Sequence, residues 1–345
     1  MFKMYRTDME TNLTVETNEY IKGNWINMVS PSDEEIKTVC ENIGIQENFI
    51  RYALDSEEKA RIDVEDDDNT ILFIIDTPIM EIESGAKVYS TMPIGVIFVR
   101  DDYIITVSLS KNPIMEELTK RKSRNMITYK KSRMLLQIFY SNAEMFLNLL
   151  KKLNKETEIA ENVLKNSMKN KELLKLLSLE KGLVYFTTSL KSNEVVMEKT
   201  MRGNLIKLYD EDEDILEDAI IENKQAIEMA RIYRDILTGT MDAYASIISN
   251  NLNGVMKYLT SITIILAIPT MIASYWGMNV GLPLQNSPFR ICSNCNDFNF
   301  NWNCSIIMVK EKRNAWLKEK IGKSFKQIKF ENWARKTWLE DEKNR

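Results

Sequence analysis

Along the first hundred residues, apolar positions alternate in short runs bounded by turn residues. The pattern predicts strands at Val15–Ser30, Ile71–Ile75 and Ile79–Ile82. Gly95–Val99 and Tyr103–Val107 flank Arg100-Asp101-Asp102, which predicts a hairpin. The turn-like Asp66-Asp67-Asp68-Asn69 precedes the central runs. Ser30-Pro31-Ser32-Asp33 introduces a helix. Ser32 with Glu35 three residues on fits a capping box, and Ile36, Val39 and Ile43 follow on one face. Asn48–Asp55 reads as a second short helix. Residues 1–110 therefore form a mixed α/β domain in this reading.

From about Pro113 the apolar period becomes helical and remains so. Ile127 to about Lys169 and Asn170–Arg202 predict two long helices with a short connection, hence an antiparallel pair over residues 111–209. The acidic run Asp210–Asp214 fits a solvated helix start, where carboxylates meet the positive end of the dipole. A third helix starts near Ile215 and continues to Trp276, a span on the order of 90 Å at 1.5 Å per residue. That is too long for one globular core, so the helix must leave one environment and enter another. The expected organisation places this stalk helix at 210–276, with α+β architecture before it.

Charge marks where the second environment begins. Tyr258 to Phe289 contains no charged residue, and Tyr258–Trp276 is long and apolar enough to cross a bilayer. Tyr258 stands at one end and Tyr275-Trp276 at the other, as in an aromatic belt. Pro269 lies inside, which membrane helices tolerate better than soluble ones. A buried core helix is the alternative reading of the same run.

Two lines run along this helix at steps of three and four. Leu237, Met241, Tyr244, Ile248, Leu252, Val255, Leu259, Ile262 and Leu266 form an apolar one that calls for neighbouring helices. Asp242, Ser246, Ser249, Asn253, Met256, Thr260, Thr263, Ala267, Thr270 and Ser274 form a small, mostly polar one. Close helix packing explains such a line. A water-filled pore built from several copies of the helix explains it too, and spacing leaves both open.

Composition narrows the chemistry. The chain has 345 residues, a formal net charge of −4 and no histidine. The mild acidity gives no support to nucleic-acid binding. Without histidine the commonest general base and zinc ligand are missing, and no phosphate loop or paired buried acids point to an enzyme. Cys40 stands alone in a helical pattern, as a small buried apolar residue would. The N-terminus carries no charged region followed by an apolar one, so no signal peptide is expected and the bulk of the chain should stay cytoplasmic.

Ile268-Pro269-Thr270 followed by Tyr275-Trp276-Gly277-Met278-Asn279 resembles the signature of CorA-family magnesium transporters, whose first membrane helix ends in Gly-Met-Asn. Asn253-Gly254-Val255-Met256-Lys257-Tyr258-Leu259-Thr260 is similar to the helix with which that family enters the membrane. The resemblance runs from the start to about Phe289 and strengthens from about Ile232.

What it implies is a homopentamer in the inner membrane, with a cytoplasmic N-terminal domain and five copies of the long helix around a pore. Gly277, Met278 and Asn279 would form the selectivity motif at the outer mouth, within a segment 277–289, and Asn279 would meet the entering ion. Asn253, Met256, Leu259 and Thr270 would line the path. Asp242 would belong to a regulatory magnesium site between subunits, with Asp66–Asp68 as a candidate source of its acidic partner. Mg2+ would be both cargo and regulator, with Co2+ or Ni2+ as further candidate substrates. A zinc transporter of the same superfamily shares the motif.

The resemblance also implies a second membrane helix, and the sequence departs from it there. Gly281–Phe289 reads as the short outer loop, but Arg290–Cys304 is rich in Asn, Cys, Phe and Trp, and Lys310–Arg345 is basic and polar. No stretch of residues 290–345 is apolar enough to cross a bilayer. Cys292, Cys295 and Cys304 lack a fourth ligand at zinc spacing. A frameshift after Phe289 would account for the change. It raises the alternative of a truncated, membrane-anchored, non-conducting member.

Overall fold

The computed structural model describes residues 2–279, apart from positions 9, 12–13, 66–68, 84, 101, 121–126, 167–169 and 204. The expectations for Asp66–Asp68, the outer loop, the three late cysteines and the tail lie outside the described residues. The chain divides into two compact units, Met1–Ala243 and Tyr244–Arg345.

The first unit is built on a seven-stranded sheet. Its strands are β1 (Phe2–Thr7), β2 (Thr14–Thr17), β3 (Trp25–Val29), β4 (Arg61–Glu65), β5 (Thr70–Glu83), β6 (Ala86–Val99) and β7 (Tyr103–Ser108), in the order β2-β1-β3-β7-β6-β5-β4. Only β3 and β7 run parallel, with Trp25 opposite Ile104; the other neighbours are antiparallel. The expected strand Val15–Ser30 is two strands, β2 and β3, with Gly23 between them at φ 88°. The runs at Ile71–Ile75 and Ile79–Ile82 are one strand, β5. Pro78 does not break it because β4 has already ended opposite Ile74, and a strand edge needs no amide there.

Side chains alternate across the sheet, so β3, β5, β6 and β7 each feed two cores. Ile26, Leu72, Ile74, Ile105 and Val107 pack with α1 (Asp33–Ile43) and α2 (Glu47–Tyr52). Their neighbours Trp25, Phe73, Ile75, Val96 and Ile104 pack with the other helices: α3 (Pro113–Lys120), α4 (Lys131–Asn166), α5 (Asn170–Arg202) and the start of α6 (Asp210–Trp276). The result is a three-layer α/β/α unit, and the long helices share the sheet's core. The Ser32 capping box is present, and Gly44 ends α1 at φ 75°, where a side chain would be strained. Cys40 is buried as expected, and burial pushes its thiol up to about 11.

α4 and α5 lie antiparallel. Phe146 meets Phe186 edge-on at 5.3 Å, and farther along Glu156 reaches Lys175 at 3.0 Å. Gly182 lets α5 settle onto the sheet, because a Cβ there would stand 2.8 Å from Tyr89 Cβ. The acidic run at the start of α6 is not simply solvated, contrary to expectation. Asp212 is buried, its carboxylate accepts from Arg133 Nε at 2.8 Å, and Glu211 accepts from Arg133 Nη2 at 2.7 Å. Arg133 on α4 thereby ties the first turn of α6 to the helical layer.

Candidate functional site

The second unit begins inside α6, and its described residues, 244–279, form one helix and the three residues after it. The α6 stretch contains the one described helix long and apolar enough to cross a membrane, and its most apolar window is wholly unburied within the protomer. Leu252, Val255, Tyr258, Leu266 and Met271 are all more than half exposed. A soluble protomer would expose these apolar side chains to water, at about 25 cal/mol for each Å². Lipid or neighbouring helices remove that cost.

Asn253, Met256, Leu259 and Thr270 fall within about a third of the circumference at 100° per residue, and all four are exposed. Met256 and Leu259 put apolar bulk on the line between the polar positions Asn253 and Thr260. The hydroxyls follow a common pattern. Thr260 Oγ1 donates to Met256 O at 2.8 Å, Thr263 Oγ1 to Leu259 O at 3.0 Å, and Thr270 Oγ1 to Leu266 O at 2.9 Å. Ser261 does the same to Lys257 O at 2.8 Å. Each hydroxyl proton is therefore spent inside the helix, which makes the residue tolerable in hydrocarbon. What each oxygen still presents is lone pairs. Such a line accepts hydrogen bonds, as a hydrated cation requires.

The helix ends at Trp276. Gly277 N donates to both Ala273 O at 3.0 Å and Ser274 O at 3.2 Å, and these are the last bonds of the ladder among the described residues. Met278 and Asn279 follow at once, both exposed. The carbonyls of a helix C-terminus carry partial negative charge, so the Gly-Met-Asn residues sit at an end that favours cations. The Asn279 amide adds an oxygen acceptor and a nitrogen donor in the same place.

Asp242 lies on α6 at the end of the first unit and is exposed. Among the described residues no group of three or more His, Cys, Asp and Glu side chains is placed to hold a metal ion. Its expected partner run, Asp66–Asp68, lies outside the described residues.

The sequence reading missed a buried polar seam in the first unit. Asn193 on α5 bonds both backbone groups of Asp76, and Asn142 on α4 bonds the same carbonyl. No spacing rule joins residues so far apart in sequence. The one clue was an acid, Asp76, inside an otherwise apolar run.

Residues 22–293 match the profile of the family described as CorA-like Mg2+ transporter protein. The cobalt/magnesium transport protein CorA of Methanocaldococcus jannaschii is 31% identical over 274 residues, covering 76% of this chain and 82% of that protein. The protein of the same name from Thermotoga maritima is 31% identical over 180 residues, covering 49% of this chain and 48% of that protein. The complete structure of the M. jannaschii CorA magnesium transporter superposes with a TM-score of 0.76 at 25% identity, covering 89% of this chain and 96% of that one. Full-length CmaX shares the fold at a TM-score of 0.62 and 12% identity, over 88% of this chain and 96% of that one. With its α+β unit, its long helix of membrane-spanning character and a family match over most of its length, this chain belongs to the CorA-like family of divalent-cation transporters.

Proposed function

We propose that this chain carries magnesium across a membrane, with cobalt or nickel as a further substrate, through a pore made by several copies of α6. The observation that carries the reading is the line of hydroxyl oxygens on α6, their protons spent internally, leading to Gly277-Met278-Asn279 at the helix end. Magnesium gives up its water reluctantly, so amide and hydroxyl oxygens that grip the hydrated ion suit it better than a dry carboxylate cage. In this reading Asn279 receives the ion, Asn253 and Thr270 touch its hydration shell, and Met256 and Leu259 form a dewetting gate. Five copies, as the family resemblance implies, place five such lines around one axis in the inner membrane. The first unit faces the cytoplasm. Asp242 binds regulatory magnesium there against a neighbouring copy, because like charges repel unless a divalent ion bridges them.

The test is growth of bacteria deprived of their own magnesium uptake. Expression of this chain is expected to restore growth at low magnesium and to sensitise the cells to cobalt. Rescue of zinc efflux or uptake alone would favour a zinc transporter.

A second reading is supported by one specific observation. The family match ends at residue 293, four residues beyond Phe289, where the sequence turns from apolar to polar and basic. A member lacking its second span would assemble in the membrane and not conduct. Reading the gene downstream of Phe289 in the other two frames tests this: an apolar segment of about 20 residues is expected there, and its absence from both frames would remove the frameshift.

A further inference from the structure

The strongest unassigned chemistry lies where α4 and α5 meet β5. Asp76 is 7% exposed, in the middle of a strand. β4 has ended opposite Ile74, so the backbone of Asp76 lies past its last strand neighbour on that side. Two helix amides take the strand's place. Asn193 Nδ2 donates to Asp76 O at 2.8 Å while Asn193 Oδ1 accepts from Asp76 N at 2.9 Å. Asn142 Nδ2 donates to the same carbonyl at 2.9 Å. Asn142 and Asn193 are fully buried.

The charges around Asp76 do not help its carboxylate. Opposite it on β6 stands Pro93, flanked by Met92 and Ile94, with Thr91 two residues on. α5 offers Ser189 and Asn193, and α4 offers Asn142, all neutral. Of the charged residues on these elements, Arg61 of β4 is bonded to Glu58 and Asp63, and Glu194 of α5 pairs with Lys224. Glu144 of α4 and Lys191 of α5 are exposed. Burial raises the carboxyl to about 6, and the Ser189 hydroxyl, which also bonds Thr91 Oγ1 at 2.9 Å, works the other way. Asn142 Oδ1, in the amide that holds Asp76, is a buried acceptor with no protein donor. A carboxyl that gains a proton becomes a donor in a seam short of one.

We propose that Asp76, with Asn142 and Asn193, is a proton-operated latch that seats α4 and α5 on the sheet. Ionised, the carboxylate keeps a buried charge without a cationic partner and loosens the seam. Neutral, it tightens it. The next turn of α5 extends the effect to α6, since Asn223 Nδ2 bonds Leu190 O at 3.0 Å. The latch stands independently of what the protein transports.

The sign follows from linkage. The folded carboxyl holds its proton up to about 6, while an opened, solvated one releases it near 3.8. Opening is therefore most favoured above pH 6 and is suppressed as pH falls from 6 towards 4. Amide hydrogen exchange on the full chain, corrected for intrinsic rates, reads this directly. The opening constant of β5 and α5 around Asp76 and Asn193 should be about tenfold lower at pH 5 than at pH 7.5. Asp76→Asn should hold the low value at both. Ser189→Ala, which removes the opposing hydroxyl, should move the midpoint to higher pH. A wild-type seam without pH dependence, or an unchanged dependence in Asp76→Asn, would overturn the latch. Should Asp76→Asn not fold, an unmoved midpoint in Ser189→Ala would overturn it as well.

Discussion

Asn193 grips Asp76 by both backbone groups, its Nδ2 2.8 Å from the carbonyl oxygen and its Oδ1 2.9 Å from the amide nitrogen. A helix side chain thus replaces the neighbouring strand that β5 lacks beyond Ile74. Asn193→Ala leaves the buried amide of Asp76 unpaired and removes one of two donors to its carbonyl. A loss of about 3 kcal/mol is expected, since each orphaned buried group costs about 1–3 kcal/mol. Denaturant unfolding of the detergent-solubilised chain checks it; a loss below about 0.5 kcal/mol would mean that water replaces the amide.

Gly182 faces Tyr89 with 2.8 Å between the Cβ that a side chain would add and Tyr89 Cβ. Two effects oppose each other in Gly182→Ala. Helix propensity favours alanine by about 1 kcal/mol. Overpacking costs about 1–3 kcal/mol, and neither Cβ can swing away. The clash should win, so the melting temperature should fall with Gly182→Ala and fall further with Gly182→Val. A rise in either would place α5 farther from the sheet.

Glu156 bridges Lys87 on β6, at 2.7 Å, and Lys175 on α5, at 3.0 Å. Hydrogen bonds from Lys87 and then Lys175 hold its carboxyl below the ordinary 4.5. Its contribution is therefore present above 4.5 and is lost as pH falls through the lower folded value. That is opposite in sign to Asp76 on the paired strand. The lysines are partly exposed, so the bridge contributes at most about 1 kcal/mol. Hydrogen exchange at the β5–β6 tip should rise below pH 4.5 in the wild type. In Glu156→Gln it should already be raised at neutral pH and show no such step.

Much of this architecture was legible along the chain because its signals are local. Ser32 and Glu35 are three residues apart, the Val99–Tyr103 hairpin closes within five, and the uncharged run from Tyr258 needs no partner to be recognised. β1 and β4 were not legible. β1 is half polar and β4 largely charged, and neither carries an apolar run long enough to stand out. Ile71–Ile75 and Ile79–Ile82 read as separate runs and are one strand, because Pro78 falls where β5 has no neighbour on that side. The Asp210–Asp214 run read as solvent-facing because Arg133, which takes Asp212 out of water, is remote in sequence. The polar line on α6 was legible as a line. Whether it packs or conducts depends on other copies of the chain, which no single helix specifies.

Asp242→Asn or Asp242→Ala should weaken magnesium-dependent protection of the first unit from protease. If copies of Asp242 share a magnesium ion with a neighbour, the wild-type digestion rate should fall as magnesium rises into the millimolar range, and the variants should respond little. Identical curves would make Asp242 an ordinary solvated acid.

Ion flux into proteoliposomes reads transport by this chain without a cell around it. The full chain is reconstituted with a magnesium-sensitive dye inside, beside Asn279→Ala and protein-free vesicles. Magnesium entry is expected well above the protein-free rate, reduced by external cobalt and abolished in Asn279→Ala at equal incorporation. Wild-type entry no faster than in protein-free vesicles would contradict transport by this chain, and undiminished entry in Asn279→Ala would remove the Gly-Met-Asn end of α6 from the path.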